Sequence, residues 1–244
     1  MRVEGGGAEV LAWSYADDEA ITVTRGRGEL LQAGDPVPGG SVFLQALGDE
    51  ARRLHPEVLK YVAGGGTIGS TVVVEGEFTV AGSRYGRLNL LARPFVGPDL
   101  FVTRYERNVP FRVENTIAVE DAAGLGLKSE RIFMFRPGPQ RFADVLLPSP
   151  RPGRLRNRVG ASRRVELELR CSVTESGFLR LSSERAWLLF GPLRIRLPAF
   201  ASVRAEVIDG FDDDAQRNTV RAEVRNPVLG TVLEYRGAFS REVL

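Results

Sequence analysis

The sequence has 244 residues, with 33 Lys and Arg against 31 Asp and Glu, for a net charge of +2. A chain of this length can bury a large core as one or two domains. A single cysteine excludes an internal disulfide and a thiolate-rich zinc or iron–sulfur site, and a single histidine excludes sites built on two histidines. We expect no metal and no cofactor.

The charge balance also bears on partners and location. A net charge near zero argues against nucleic-acid binding, which usually requires a strongly basic domain. The first residues lack the charged-then-apolar pattern of a signal peptide. The longest uncharged stretch near the front, residues 61–74, is 14 residues long and contains four glycines, too short for a membrane helix. We therefore predict a cytoplasmic protein with no nucleic-acid partner and no membrane span.

The first 40 residues are polar and rich in glycine, with two strand-like runs at Val10–Tyr15 and Ala20–Thr24. A Gly- and Pro-rich segment at residues 34–40 then interrupts the chain. We interpret residues 1–40 as an N-terminal extension and residues 41–244 as a single β-rich domain.

A helical pattern follows at residues 42–63. Apolar residues recur at steps of three and four, which predicts an amphipathic helix. Pro56 stands where a helix would restart, and three glycines from Gly64 would end it. We therefore expect two short helices with a kink near His55, which we interpret as a boundary or surface residue rather than a catalytic base.

From Thr67 onward the sequence predicts serial strands with turn signals between them, among these Ala123-Gly124 and Asp209-Gly210. Such a series is typical of an antiparallel meander, and closing the meander would remove its exposed edges. The predicted fold is mainly β, a calycin- or lipocalin-like barrel or a strongly curled sheet. The predicted strands are Thr71–Val74, Glu77–Val80, Arg87–Leu91, Phe101–Tyr105, Phe111–Glu120, Ile132–Arg136, Phe142–Leu147, Val165–Val173, Phe178–Ser182, Ala186–Phe190, Leu193–Leu197, Val203–Ile208, Thr219–Val224 and Thr231–Phe239.

The C-terminal third carries a recognisable pattern. It reads AWLLFGPLRIRLP at residues 186–198, RAE at 204–206, NPVLG at 226–230 and LEYRG at 233–237. These motifs resemble domain-of-unknown-function family 4166, over about residues 42–239 and most strongly after Val165. The resemblance implies a domain that stands alone or is fused behind NAD-type oxidoreductases. It implies no catalytic residues.

Three polar segments receive structural interpretations. The segment 124–129 lacks the glycine that a phosphate-binding loop has directly before its lysine, so we interpret it as a turn. The acidic segment 209–214 lacks the ligand spacing of an EF-hand and is predicted to be a polar hairpin tip. The arginine-rich run 151–164 is predicted to be a solvated loop, with an anion or acidic-partner site as the alternative.

Charged residues also occupy alternate positions of the predicted strands. If they face solvent, they form ordinary cross-strand ion pairs; if some face a cavity, an Arg–Glu–Tyr set could orient a ligand. The sequence leaves both alternatives open. For the second, the predicted catalytic residues are Glu206, Tyr235 and Arg236. The predicted ligand-binding residues are Trp187, Tyr105, Glu106, Arg104, Phe111 and Arg196.

Two functions fit these observations. The first is a barrel that binds a small, mostly apolar molecule, with or without turnover as a cofactor-independent cyclase or isomerase of bacterial secondary metabolism. Whether the protein is an enzyme stays open on the sequence alone. The alternative is a non-enzymatic interaction module associated with an oxidoreductase, and the sequence also allows a homodimer.

Overall fold

The structure is a computed structural model that describes residues 34–37, 40–64, 66–86, 94, 97–100, 102–120 and 124–243. Upstream of these it describes three short strands, which form a separate antiparallel sheet: β1 (Ala12–Trp13), β2 (Val23–Arg25) and β3 (Glu29–Leu31). The predicted strand Arg87–Leu91 and most of the two predicted runs in the extension lie outside the described residues.

The helical segment consists of α1 (Val42–Leu47), a 3-10 turn (Gly48–Arg53) and α2 (Pro56–Ala63). The Ser41 hydroxyl caps α1 by accepting a hydrogen bond from the Leu44 amide at 3.3 Å. His55 Nδ1 caps α2, whose first residue is Pro56, and Gly64 ends it at a φ of 70°. The predicted break near His55 is confirmed, because the chain must leave the helical conformation before Pro56.

Ten of the remaining strands form a closed antiparallel barrel, which confirms the predicted fold class. Each strand of the ring pairs with the next one in sequence, and β14 pairs back onto β4. The hairpin strand β11 pairs only with β10 and lies outside the ring. The strands are β4 (Thr71–Gly82), β5 (Tyr105–Glu120), β6 (Gly124–Phe135), β7 (Gly138–Pro148), β8 (Arg154–Val159), β9 (Val165–Val173), β10 (Leu179–Phe190), β11 (Leu193–Arg196), β12 (Arg204–Asp212), β13 (Arg217–Asn226) and β14 (Gly230–Val243).

The predicted turn at residues 124–129 is wrong and the predicted hairpin tip at 209–214 begins too early, because a glycine of each segment packs closely inside a strand. Gly126 lies in β6, where a Cβ atom would approach Leu147 Cδ2 to 2.9 Å. Gly210 lies in β12, where a Cβ atom would approach the Phe178 ring to 2.8 Å. The segments 124–129 and 209–212 are therefore strand, and the actual turn after β12 comes at residues 213–216.

The predicted arginine-rich loop is also wrong over its central part, because residues 154–159 form strand β8 between β7 and β9. Two arginines of this strand form ion pairs with acidic side chains of other strands: Arg154 with Glu184 on β10 and Arg158 with Glu166 on β9. The interpretation of this run as a solvated loop therefore fails where the run enters the sheet.

The barrel has two differently filled ends. The helical segment packs against β7, β8, β9 and β12 at one end. Toward the other end, a cluster of aromatic rings fills the interior, with Phe78 stacked on Phe111 at a centroid distance of 3.8 Å. Phe133, Phe135 and Tyr235 extend this cluster. The space between helices and aromatic rings is where the interior stays open.

Candidate functional site

A cavity of about 150 Å³ lies inside the barrel. Residues of α1, of α2 and of every strand in the ring line it, and most of these residues are apolar. This volume exceeds the space that a single buried water needs, which is on the order of 10–15 Å³. The barrel interior can therefore hold a small organic molecule.

Four polar residues on three neighbouring strands line one wall of this cavity. We call them the inner polar cluster: Ser129 and Arg131 on β6, Asp144 on β7 and Asn157 on β8. Arg131 Nη1 lies 2.6 Å from Asp144 Oδ1, and Asn157 Nδ2 donates to Asp144 Oδ2 at 2.9 Å. Ser129 is the cross-strand partner of Asp144, which places both side chains on the same face of the sheet.

Burial and neighbouring groups shift the pKa of Arg131 in opposite directions. Burial by itself would lower the pKa of the guanidinium, but the charge and hydrogen bond of Asp144, together with Tyr235 and Tyr61, outweigh burial and hold that pKa above its ordinary value. Arg131 is therefore cationic at any physiological pH, and its charge is balanced by Asp144.

Two atoms of the inner polar cluster lack a partner. Ser129 Oγ and Asn157 Oδ1 are buried and make no hydrogen bond within the described part of the chain. A buried polar atom without a partner costs on the order of 1–3 kcal/mol. Since both atoms belong to residues that line the cavity, a bound molecule could supply the missing hydrogen bonds.

A second polar group faces this cluster across the cavity. Asp209 lies on β12, which is the fifth strand from β6 in either direction around the ring of ten. Burial raises the pKa of Asp209 from 3.8 to about 7, and the attraction of Arg131 opposes this shift only in part. Tyr61 and Tyr235 also line the cavity, and burial raises the pKa of both phenols, so their hydroxyls stay protonated.

Two of the residues predicted from the sequence line the cavity. Tyr235 is buried on β14, with its ring 5.0 Å from Phe78 and 5.8 Å from Phe133. Phe111 is buried on β5 within the same aromatic cluster. The structure brings these two together, whereas the other seven predicted site residues do not line the cavity.

Four of those seven lie on β10, β11, β12 and β14. Glu206 pairs with Arg180 on the neighbouring strand, and Arg236 is exposed. Trp187 carries the Arg194 guanidinium 3.8 Å above its ring, and Arg196 is exposed on β11. Their predicted roles have no contact with the cavity to support them.

The remaining three lie at the start of β5, at the barrel end away from the helices. Tyr105 donates its hydroxyl proton to Glu234 at 2.8 Å. Glu106 accepts a hydrogen bond from the Arg136 amide at 3.2 Å. Arg104 is exposed, and its carbonyl oxygen accepts from the Ser83 amide at 2.7 Å. As ligand-binding residues, these three stay predictions.

The sequence does contain a signal for the cavity residues. On β6, Leu127, Phe133 and Phe135 mark the inward-facing alternate positions, and Ser129 and Arg131 occupy the same phase. On β12, Ala205 and Val207 likewise precede Asp209 at alternate positions. The signal for this site is a polar residue at an alternate position that apolar residues otherwise occupy along the strand. Glu206 stands at the other set of alternate positions on β12.

Many of the charged residues at alternate strand positions form ion pairs on the outer surface of the barrel. Glu166 on β9 accepts from Arg158 Nε at 3.0 Å and contacts Arg194 Nη2 at 2.8 Å. Glu168 on the same strand contacts Arg151 and Arg185. We call Glu166, Arg158 and Arg194 the outer ion-pair cluster. Its members, unlike Arg131 and Asp144, do not line the cavity.

Within the ranges that the structure describes, no group of three His, Cys, Asp or Glu side chains comes together in a way that would hold a metal ion. Nor does any helix in those ranges have the length and apolar character that crossing a bilayer requires.

Comparison with known proteins places the chain in a family. It is 28% identical over 143 residues to "Uncharacterized protein YndH" of Bacillus subtilis (strain 168), a match that covers 58% of this chain and 69% of that protein. No solved structure matches the chain. The family model described as "Domain of unknown function (DUF4166)" matches residues 54–239, which include α2 and every strand of the barrel except the last four residues of β14. The chain therefore belongs to the DUF4166 family.

Proposed function

We propose that this protein binds a small, mostly apolar molecule inside its barrel. The observation that carries the proposal is the cavity of about 150 Å³, with apolar walls and two unpartnered polar atoms in one wall. Ligand sites in proteins share this composition of apolar lining with a few placed polar groups. Antiparallel barrels also hold ligands in this position in other proteins.

The energetics of the cavity support the same proposal. Lost packing around an empty cavity costs about 24 cal/mol per Å³, or roughly 4 kcal/mol for a cavity of this volume. A ligand that fills the space would restore the packing contacts and add hydrogen bonds to the unpartnered atoms. Binding would therefore stabilise the fold by an amount that depends on ligand concentration.

Protein purified from its own host and measured by native mass spectrometry would test this proposal. We expect a stoichiometric organic adduct that is lost on denaturation, and its mass would identify the molecule. A matched variant, Ser129→Phe, would place a large side chain in the cavity, so we expect it to carry less adduct. An adduct present equally in both proteins would place the binding site elsewhere and contradict the proposal.

Asp209 extends the proposal from binding to a cofactor-independent isomerase or cyclase. A carboxyl group with a pKa of about 7 can accept and return a proton near neutral pH. Tyr235 and Tyr61 would donate hydrogen bonds to an oxygen of the substrate. In this mechanism Asp209 takes a proton from one carbon of the substrate and returns it to another carbon. The substrate therefore gains and loses no proton overall, and Asp209 ends in the protonation state in which it began.

Deuterium exchange would test the catalytic form of the proposal. The molecule released from the purified protein is incubated in deuterated water with wild-type protein or with Asp209→Asn. We expect deuterium in the molecule only with wild-type protein. No deuterium with either protein would contradict catalysis by proton transfer and leave binding as the function.

An exposed apolar surface favours the alternative, an interaction module for a protein such as an oxidoreductase. Phe200 is 68% exposed and Val228 is 72% exposed, and Asn226 links their segments through hydrogen bonds to the carbonyl oxygen of Phe200 and the amide of Val228. Six of the eight large exposed hydrophobic residues in the described ranges lie in these segments and on the β10–β11 hairpin: Phe190, Leu193, Ile195, Phe200, Val228 and Leu229.

Light scattering would test this alternative, since an apolar surface of this kind also allows the chain to form a homodimer. The interaction proposal predicts a dimer, or a complex with a partner protein, that Phe200→Ser and Val228→Ser weaken. A monomer that recruits no partner at high concentration would contradict it, and the cavity proposal would be unaffected.

A further inference from the structure

We propose that the cavity selects a ligand carrying a hydroxyl group, which Ser129 and Asn157 hold beside Asp144. This inference rests on the proposed binding function and adds the chemical class of the ligand. It is carried by the two unpartnered atoms, Ser129 Oγ on β6 and Asn157 Oδ1 on β8, which belong to cavity-lining residues on the two strands that flank Asp144 on β7.

The direction of each missing hydrogen bond follows from the contacts already made. Asp144 accepts a hydrogen bond from Asn157, so the amide nitrogen of Asn157 points to Asp144 and its oxygen is left to accept. The Ser129 hydroxyl can both donate and accept. A ligand hydroxyl has both capacities that these atoms call for, because it can donate to Asn157 Oδ1 and accept from Ser129 Oγ.

The charges of the cavity disfavour an anionic ligand. Arg131, the cation that would attract a carboxylate, is already balanced by Asp144 at 2.6 Å. Asp209 faces Arg131 from the opposite side of the barrel and adds negative charge once it ionises. A ligand carboxylate would also meet the Asn157 oxygen and could not donate to it.

A cationic group is disfavoured at the inner polar cluster for a different reason. The negative charge of Asp144 is already balanced by Arg131, and each of its oxygens already accepts one hydrogen bond, so an ammonium group would gain less from this carboxylate. Transfer of an ion into a mostly apolar cavity also costs more than transfer of a neutral hydroxyl. The neutral hydroxyl therefore matches the site best.

Four probes of one aromatic ring test this inference: toluene, phenol, benzylamine and benzoate. A protein cavity of about 150 Å³ can hold benzene, so each ring fits and only the substituent differs. Dissociation constants come from ligand-observed NMR titrations at pH 6. We expect phenol to bind about tenfold more tightly than toluene, as one or two added hydrogen bonds would give, and benzoate to bind most weakly.

Matched serine variants identify the contact. In Ser129→Ala and in Ser129→Cys, whose thiol is a weak donor, we expect the preference for phenol to fall to about twofold, with toluene affinity unchanged. The control is Ser183→Ala, because the Ser183 hydroxyl bonds to the backbone of Val203 and Ala205 and does not line the cavity. This control should keep the full preference.

The outcomes separate the inference from the proposed function. Phenol and toluene of equal affinity, tighter binding of benzoate or benzylamine, or a phenol preference that survives in Ser129→Ala would each overturn the hydroxyl inference. In all three cases the cavity would still bind a small molecule. If none of the four probes binds, the proposed function itself is overturned.

Discussion

The inner polar cluster and the outer ion-pair cluster use the same chemistry on opposite faces of the barrel wall. The side chains of Asp144 and Glu166 are only 3% and 2% exposed, and each carboxylate pairs with arginine. Outside, both oxygens of Glu166 are engaged, one by Arg158 and one by Arg194. Inside, each oxygen of Asp144 accepts a hydrogen bond, but Ser129 and Asn157 each keep an unpartnered atom.

This difference separates a structural ion pair from a candidate binding site. Arg158 and Arg194 are 28% and 47% exposed, so they can turn toward water if the pair is broken. Arg131 is 20% exposed but lies among the residues that line the cavity, so it would stay inside the barrel if its pair were broken. A buried polar group with unmet hydrogen bonds is costly unless a ligand completes it, so the inner cluster is the one that we assign to function.

The largest effect on stability should come from Asp144→Ala. The substitution leaves the Arg131 guanidinium and the Asn157 amide buried without their common acceptor, which should cost about 3–5 kcal/mol of the free energy of unfolding. Urea denaturation would measure this loss. The double variant Arg131→Met/Asp144→Leu removes both charges and should be more stable than Asp144→Ala; equal or greater loss in the double variant would contradict our account of the pair.

The matching substitution on the outer face, Glu166→Ala, should cost less, about 1–2 kcal/mol. The reason is that its two arginine partners can reach water after the carboxylate is removed. The same denaturation series measures it, and probe binding in the cavity should be unchanged. A loss as large as that of Asp144→Ala would show that the two faces do not differ in the way we describe.

Asp209 should make stability fall as the pH rises from about 4 to 7. Its folded-state pKa of about 7 lies above the ordinary value of 3.8, so in this window the folded protein binds more protons than the unfolded chain. The penalty is absent below this window and complete above it. Thermal unfolding of wild-type protein and Asp209→Asn across pH 4–8 would test this. The variant should lose the part of the fall in stability between pH 4 and 7 that Asp209 causes.

The smallest effect should come from Ser129→Ala, and its sign is the informative part. Removing an unpartnered buried hydroxyl should leave the ligand-free protein as stable as before or stabilise it by up to about 1 kcal/mol. Ser183→Ala removes a hydroxyl that is hydrogen-bonded to the backbone and should destabilise by about 1 kcal/mol. Equal destabilisation by both variants would mean that Ser129 has a partner in the folded protein.

Much of the fold could be predicted from local sequence, because period-two alternation and helix-boundary residues act over short distances. The break before Pro56 and the strand Val165–Val173 agree with the structure for this reason. Two of the errors arise at Gly126 and Gly210, where glycine allows close packing between elements distant in sequence. Contacts of that kind cannot be inferred from neighbouring residues.

The candidate site was predictable only in part. Alternation assigns Tyr235 and Phe111 to one face of their strands, but it does not say which face lies inside. The sequence does not reveal Asp209, because Gly210 beside it indicates a turn, and it does not reveal Ser129, because the glycines of residues 124–129 also indicate a turn. The pairing of Arg131 with Asp144 depends on the register between β6 and β7, which the sequence does not specify.

The most direct test of the central claim is to locate the bound probe. Methyl NMR spectra are recorded during titration with toluene, with assigned methyl groups in the cavity (Val74, Leu146 and Val207) and on the exposed apolar surface (Leu193 and Val228). The binding account predicts saturable 1:1 shifts confined to the cavity methyl groups. Shifts confined to Leu193 and Val228, or no saturable shift, would contradict it.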